Sequence, residues 1–142
     1  MIPLFSDDSQ NLAAGIHDCT IDEVELRFSA GEKRKRLCRV LREVHRIVKR
    51  CQFLELIVWG SFPTKKADPN DLDLLICTAP GINIESLHQD CRDLLNHQRA
   101  ESRWGSTVFT CPQNAELYSY VLDGLAYDRN KNPQGLLRIQ LS

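Results

Sequence analysis

Apolar residues recur at helical intervals through the first half of the chain. Leu37, Val40, Leu41, Val44, Ile47, Val48 and Cys51 share one side of a helix, and the charged residues between them occupy the other. Before it, Thr20 and Glu23 in "TIDEVELRF" form a capping-box pattern that starts a short helix, ending ahead of Ser29-Ala30-Gly31. The pattern then changes. "LELIVW" (54–59) and "LDLLICT" (72–78) are apolar, β-rich and too short for further helices, so both are predicted strands. Pro80 and Gly81 break the chain, and Ile84, Leu87, Cys91, Leu94 and Leu95 predict one helix over 84–101. Trp104-Gly105 turns into a third strand, "STVFT" (106–110), followed by a helix over about 114–126. The tail "GLLRIQL" suits either a strand or an extended arm, and residues 1–14 read as a loose, flexible arm ahead of a domain spanning 15–142. The order αα-β-β-α-β-α, with a possible last strand, predicts an α/β or α+β protein, a small mixed β-sheet covered by helices.

Composition narrows the class. At 142 residues, with 42% hydrophobic and 26% charged residues, the chain is of ordinary globular make-up and long enough for one real core. No apolar run approaches a membrane span, and "MIPLFSDDSQ" lacks the basic and apolar regions of a secretory leader. The six cysteines form no C-x-x-C or other close pairing, so neither a zinc site nor a disulfide framework is expected. Cys38, Cys51, Cys77 and Cys91 read instead as small buried hydrophobes, and a reduced, cytoplasmic protein is the expectation. Net charge is only −1, yet residues 31–50 hold nine of the eighteen Lys and Arg against two Glu. That asymmetry makes a basic face, either a solvated helix surface or a docking face for RNA or an acidic partner.

The chemistry concentrates in "VWGSFPTKKADPNDLDLLI", residues 58–76. The chain leaves one apolar strand through Gly60-Ser61, crosses nine residues, and enters another carrying Asp71 and Asp73 at alternate positions. Alternation puts both carboxylates on one face, where they repel unless a cation is shared. Mg²⁺ (or Mn²⁺) suits such a pair, because it favours carboxylate oxygen and commonly arrives with substrate phosphates. Glycine admits close backbone approach, and the amides of Gly60-Ser61 with the Ser61 hydroxyl can hold phosphate oxygens. Lys65 and Lys66 are spaced to reach a triphosphate, or else belong to a solvated loop; Thr64 could at most assist. Taken singly, Gly-Ser is an ordinary turn and Asp-x-Asp an ordinary strand start. Arg129 and Lys131 read as solvated turn residues that could fold back onto the site, and Trp59 and Trp104 as core or edge packing. His17, His45, His88 and His97 show no ligand spacing.

Gly60-Ser61, nine residues, then Asp71-Leu72-Asp73 before an apolar run resembles the signature of the polymerase-beta-type nucleotidyltransferase superfamily. It is most similar to small stand-alone bacterial proteins of that type, which also resemble "GIHDCTIDEVELRF" (15–28) and "YDRNKNPQGLLRI" (127–139). The central motif is shared with minimal toxin–antitoxin nucleotidyltransferases. The resemblance implies that Gly60 and Ser61 bind a nucleoside triphosphate, with ATP the expected donor. It also implies that Asp71 and Asp73 bind metal and activate a hydroxyl on protein or RNA. The superfamily usually adds a third carboxylate from a later strand, whereas the third strand here offers Thr107 near that place, and Glu101 falls at the end of the preceding helix. The alternative is a catalytically impaired member acting as a binding partner in a toxin–antitoxin or defence pair. In a chain this short, the acceptor would meet a partner surface or a second copy, so a homo-oligomer is a further expectation.

Overall fold

The computed structural model describes residues 1–6 and 9–142. Its elements are β1 (Gly15–Cys19), α1 (Ile21–Phe28), α2 (Glu32–Arg50), β2 (Glu55–Trp59), β3 (Asp73–Thr78), α3 (Gln89–Leu94), α4 (His97–Trp104), β4 (Thr107–Pro112), α5 (Ala115–Leu125) and β5 (Gly135–Ile139), with a 3-10 turn at Ile84–Ser86. The five strands form one mixed sheet in the order β1-β5-β2-β3-β4. β2 runs antiparallel to both β3 and β5, while β3 pairs in parallel with β4 and β1 with β5. The end of β2 therefore lies on the same side of the sheet as the starts of the other four strands, and the connections into those four strands reach the sheet at one edge with Gly60. This is the small mixed sheet with helical cover that the pattern predicts.

The two faces are covered unequally. Leu56, Val58, Leu74, Ile76, Val108, Leu137 and Ile139 pack beneath the buried stripes of α1 and α2 and beneath Cys91, Leu94, Ala100 and Trp104 of α3 and α4. The intervening residues Ile57, Leu75, Cys111 and Leu136 meet only α5, through Leu125, Tyr118, Val121 and Leu122. Burial on both faces explains why β2 and β3 read as unbroken apolar runs rather than alternating ones.

α1 starts as expected, with Glu23 N–H donating to the Thr20 hydroxyl at 3.1 Å and the Glu23 carboxylate returning to Thr20 N–H. Three departures have physical causes. First, the helix expected over 84–101 is broken: Asn96 interrupts it and caps a new helix by accepting from Arg99 N–H at 3.0 Å. α4 then continues to Trp104, so Glu101 is an exposed residue within a helix, not its end. Second, the ambiguous tail is β5, an inner strand, and "GIHDC" is an edge strand paired to it. Third, Cys51 and Cys91 are joined as a disulfide between the end of α2 and α3, with Cα atoms 6.2 Å apart, where two separate thiols were expected. Helical spacing places both on apolar faces; that those faces meet is a tertiary fact no spacing carries.

The arm over 1–14 is attached along much of its described length; residues 7 and 8 lie outside the described residues. Leu12 is buried in the core, Phe5 meets Phe28 edge-on at 6.3 Å, and Gln10 C=O accepts from Lys65 N–H at 2.9 Å. A side chain at Gly135 would stand 2.8 Å from Leu12 Cβ, so glycine there lets the arm lie directly on β5. Among the described residues, no helix is long and apolar enough to cross a membrane.

The disulfide has a direct test. Thiol titration of the protein unfolded without reductant should find the four cysteines 19, 38, 77 and 111, and all six only after reduction. Reduction should also lower stability by about 2–4 kcal/mol, as expected for opening a crosslink of this span. Six thiols before reduction would show the pair unformed.

Candidate functional site

Gly60 is the first residue beyond β2, and its φ of +80° belongs to the region glycine occupies freely. A Cβ built there would fall on Asp73 Oδ2 and lie 3.1 Å from Asp73 Cγ. The glycine thus removes the one atom that would keep the backbone off the carboxylate. Asp73 opens β3, facing Trp59 of β2 on one side and Thr107 of β4 on the other. Asp71 precedes the strand in the extended approach to it and is exposed. The sequence places both acids on one strand face; the structure instead puts one in the strand and one just outside it, near enough for their charges to interact.

The Asp73 carboxyl is pushed up to about 6, first by burial and then by the negative charge of Asp71. The Thr107 hydroxyl and the positive charge of Arg129 act in the opposite direction. Without a counter-charge, an ionised Asp73 is therefore an unfavourable resident of this site. A divalent cation meets that need: two carboxylates suffice for Mg²⁺ when water and phosphate supply its remaining ligands. Among the described residues, no three His, Cys, Asp or Glu side chains converge, so a site here rests on Asp71 and Asp73 alone. Thr107 sits directly opposite Asp73, where the motif led us to look for a third acid.

The loop after Gly60 is tied down by a residue of the basic helix. Arg34 is 4% exposed, and its guanidinium donates to the carbonyls of Phe62 (2.8 Å), Thr64 (2.9 Å) and Lys66 (2.5 Å). Burial lowers its pKa from the ordinary arginine value. Thr64 adds a turn of its own, donating to Ser61 C=O at 2.6 Å and accepting from Lys66 N–H at 3.1 Å. Lys33 anchors the far side of the connection by donating to Asn70 at 3.0 Å, with Asp68 3.5 Å away. Pattern reading placed Arg34 on the basic face of the helix, as part of a solvated surface or a docking face. Its one distinguishing sign is position, in the first turn of a helix ahead of a long polar connection with carbonyls to satisfy.

Ser61 keeps partial exposure beside Gly60. Lys65 points elsewhere, its ammonium lying over the Phe5 ring 5.3 Å from the centroid. Lys66 is exposed and forms no ion pair among the described residues. Arg129 is the basic residue whose charge reaches Asp73, and its turn is firmly built. Asp128 accepts from the backbone N–H groups of Asn130 and Asn132 at 2.9 Å each, and buried Asn11 donates to Asp128 and to Pro133 C=O at 3.0 Å each. The backbone of Asn11 bridges at the same time to Thr64, so one arm residue ties the Gly-Ser loop to the Arg129 turn.

A mixed sheet with helices on both faces, with Asp73 packed against Gly60 at its edge and Asp71 close enough to feel its charge, defines a small α+β protein with a polar corner. The chain belongs to the family of unknown function DUF6932, whose model matches residues 3–140. No curated protein and no solved structure matches it.

Two measurements check this geometry. The carboxyl of Asp73 binds a proton near pH 6 in the folded protein and near 3.8 when unperturbed, so the folded state holds more protons across that interval. Its contribution to stability is thus complete below about pH 4 and is lost as pH rises through about 6. Asp73→Asn should abolish that loss and exceed the parent in stability at pH 7 in metal-free buffer, read by urea unfolding. An equal or lower stability would mean that the buried charge costs nothing. Gly60→Ala should lose about 1–3 kcal/mol by the same assay, from crowding against Asp73 and the strained φ.

Proposed function

We propose that this protein binds a nucleoside triphosphate together with Mg²⁺ or Mn²⁺, and moves the nucleoside monophosphate to a hydroxyl of protein or RNA. The observation that carries the reading is the packing of Asp73 against Gly60, with Asp71 alongside. It brings metal-ligating oxygen and an unobstructed glycine backbone to one point. Asp71 and Asp73 hold the cation, which supplies charge neutralisation for the phosphates when bound. The backbone at Gly60-Ser61 and the Ser61 hydroxyl take phosphate oxygens, held in place by the Arg34 clamp on the loop behind them. Arg129 adds positive charge on the side of Asp73. In the transfer, the acceptor oxygen bonds to the α-phosphorus, the bond to the β-phosphate oxygen breaks, and pyrophosphate departs. The acceptor's proton passes to one of the two carboxylates. Positioning and electrostatics provide most of the rate in such a reaction.

Thr107 favours a second reading. With a hydroxyl where a third acid would stand, the site suits binding better than transfer. The protein would then use bound nucleotide to set its affinity for a partner, as half of a toxin–antitoxin or defence pair.

Calorimetry with ATP and Mg²⁺, followed by label transfer to candidate acceptors, separates the two. Binding and transfer in the parent, both lost in Asp71→Asn and in Asp73→Asn, supports the enzyme. Binding without transfer supports the second reading, and the absence of metal-dependent binding defeats both. Thr107→Asp should tighten Mg²⁺ binding by about tenfold, since affinity follows the number of charged ligands.

A further inference from the structure

Beside the acids, on the sheet face that only α5 covers, three rings lie nearly parallel. Trp59 and Phe109 stack with centroids 5.5 Å apart and an 18° angle between planes. Phe109 and His97 continue the row at 5.9 Å and 15°. Trp59 is the register partner of Asp73, and Phe109 lies two residues along β4 from Thr107, its other partner. Phe109 is therefore one strand across and two residues along from Asp73, about 8 Å by strand geometry.

The row is not a packed core. Phe109 is 42% exposed, and the His97 side chain is about half exposed where α4 begins at the open edge of β4. Phenylalanine in place of tryptophan would fill the inner position without leaving the buried Trp59 Nε1 donor unpaired. Phe109 lies between Trp59 and His97, so the row, one strand from a phosphate-binding corner, offers the exposed edge of Phe109 to the face of another flat ring.

We propose that the Trp59–Phe109–His97 row is the platform for the base of the bound nucleotide, whose flat face lies across the exposed edge of Phe109, the middle ring. This deepens the nucleotide reading above and rests on it. A platform of this kind grips any base by its π face and has no donor or acceptor set to select one, so the site should take purine triphosphates with little preference between them. The acids and the Gly60 corner fix the phosphates at one end, and the rings fix the base at the other.

The test compares ATP with inorganic tripolyphosphate, both with Mg²⁺, by calorimetry and by tryptophan fluorescence in Trp104→Phe, which leaves Trp59 as the only indole. Such a contact predicts that ATP quenches Trp59 and binds about tenfold more tightly than tripolyphosphate. It also predicts that Phe109→Leu brings ATP down to the tripolyphosphate level while Phe109→Tyr keeps the difference. Equal affinities for the two ligands, unchanged in Phe109→Leu, would overturn the platform and leave the phosphate corner standing. Failure of both ligands to bind would overturn the nucleotide reading and the platform with it. A dimer that Phe109→Lys dissolves without altering ATP affinity would assign the rings to a second copy of the chain instead.

Discussion

A carboxylate pressed against a backbone with no side chain between them governs this corner of the molecule. Asp73 begins an inner strand whose following residues are buried, and the turn at Gly60 closes over its oxygen. Such a group is expensive when ionised and inert when protonated, and its pKa near 6 puts the balance within reach of ordinary conditions. Asp71 makes the ionised state worse, and Arg129 and Thr107 make it better. None of these neighbours neutralises it by direct pairing among the described ion pairs, in contrast to Asp18, which Arg138 holds below the usual carboxylate range. An acid kept short of a partner retains affinity for one that arrives from solution.

That state would relax if the surrounding chain could move, so the supports of the site matter as much as its acids. Three segments distant in sequence are bound together: residues 10–12 of the arm, the loop 61–66 and the turn 127–134. Arg34 fastens the loop to α2, Asn11 fastens the turn to the arm, and the Asn11–Thr64 bridge joins the two. The first two links are a charged and an amide side chain meeting backbone carbonyls or a carboxylate in a buried or half-buried setting, where a hydrogen bond lost is costly, and the third joins backbone to backbone. Preorganisation of this sort lets a binding site hold its geometry before the ligand comes.

Much of the fold was legible because it depends on local periodicity. The Thr20–Glu23 box, the stripe of α2 and the runs of β2 and β3 each declare themselves within a few residues. The Gly60–Asp73 meeting was legible too, since two successive strands with no helix between them pair antiparallel and bring the end of one beside the start of the other. What escaped depends on partners far away. β1 carries two polar residues in five and gains its identity only by pairing with β5, more than a hundred residues later. The Cys51–Cys91 bond and the burial of Arg34 likewise follow from which surfaces come together. Lys65, spaced either to reach a phosphate or to sit in a solvated loop, lies over the ring of Phe5, a neighbour that spacing does not reveal.

The unequal cover of the sheet gives these details a common logic. Four helices and the larger cluster of buried residues lie on one face, with the disulfide closing the far end of α2 onto α3. That face carries most of the apolar burial and hence most of the stability. The other face has α5 alone, and its uncovered part holds Asp73, Thr107 and the aromatic row. An acid in an apolar setting and half-exposed rings both reduce stability, and both need solvent access to be of use. Assigning them to the lightly covered face keeps their cost away from the elements that hold the fold, so the corner can stay open while the rest remains packed.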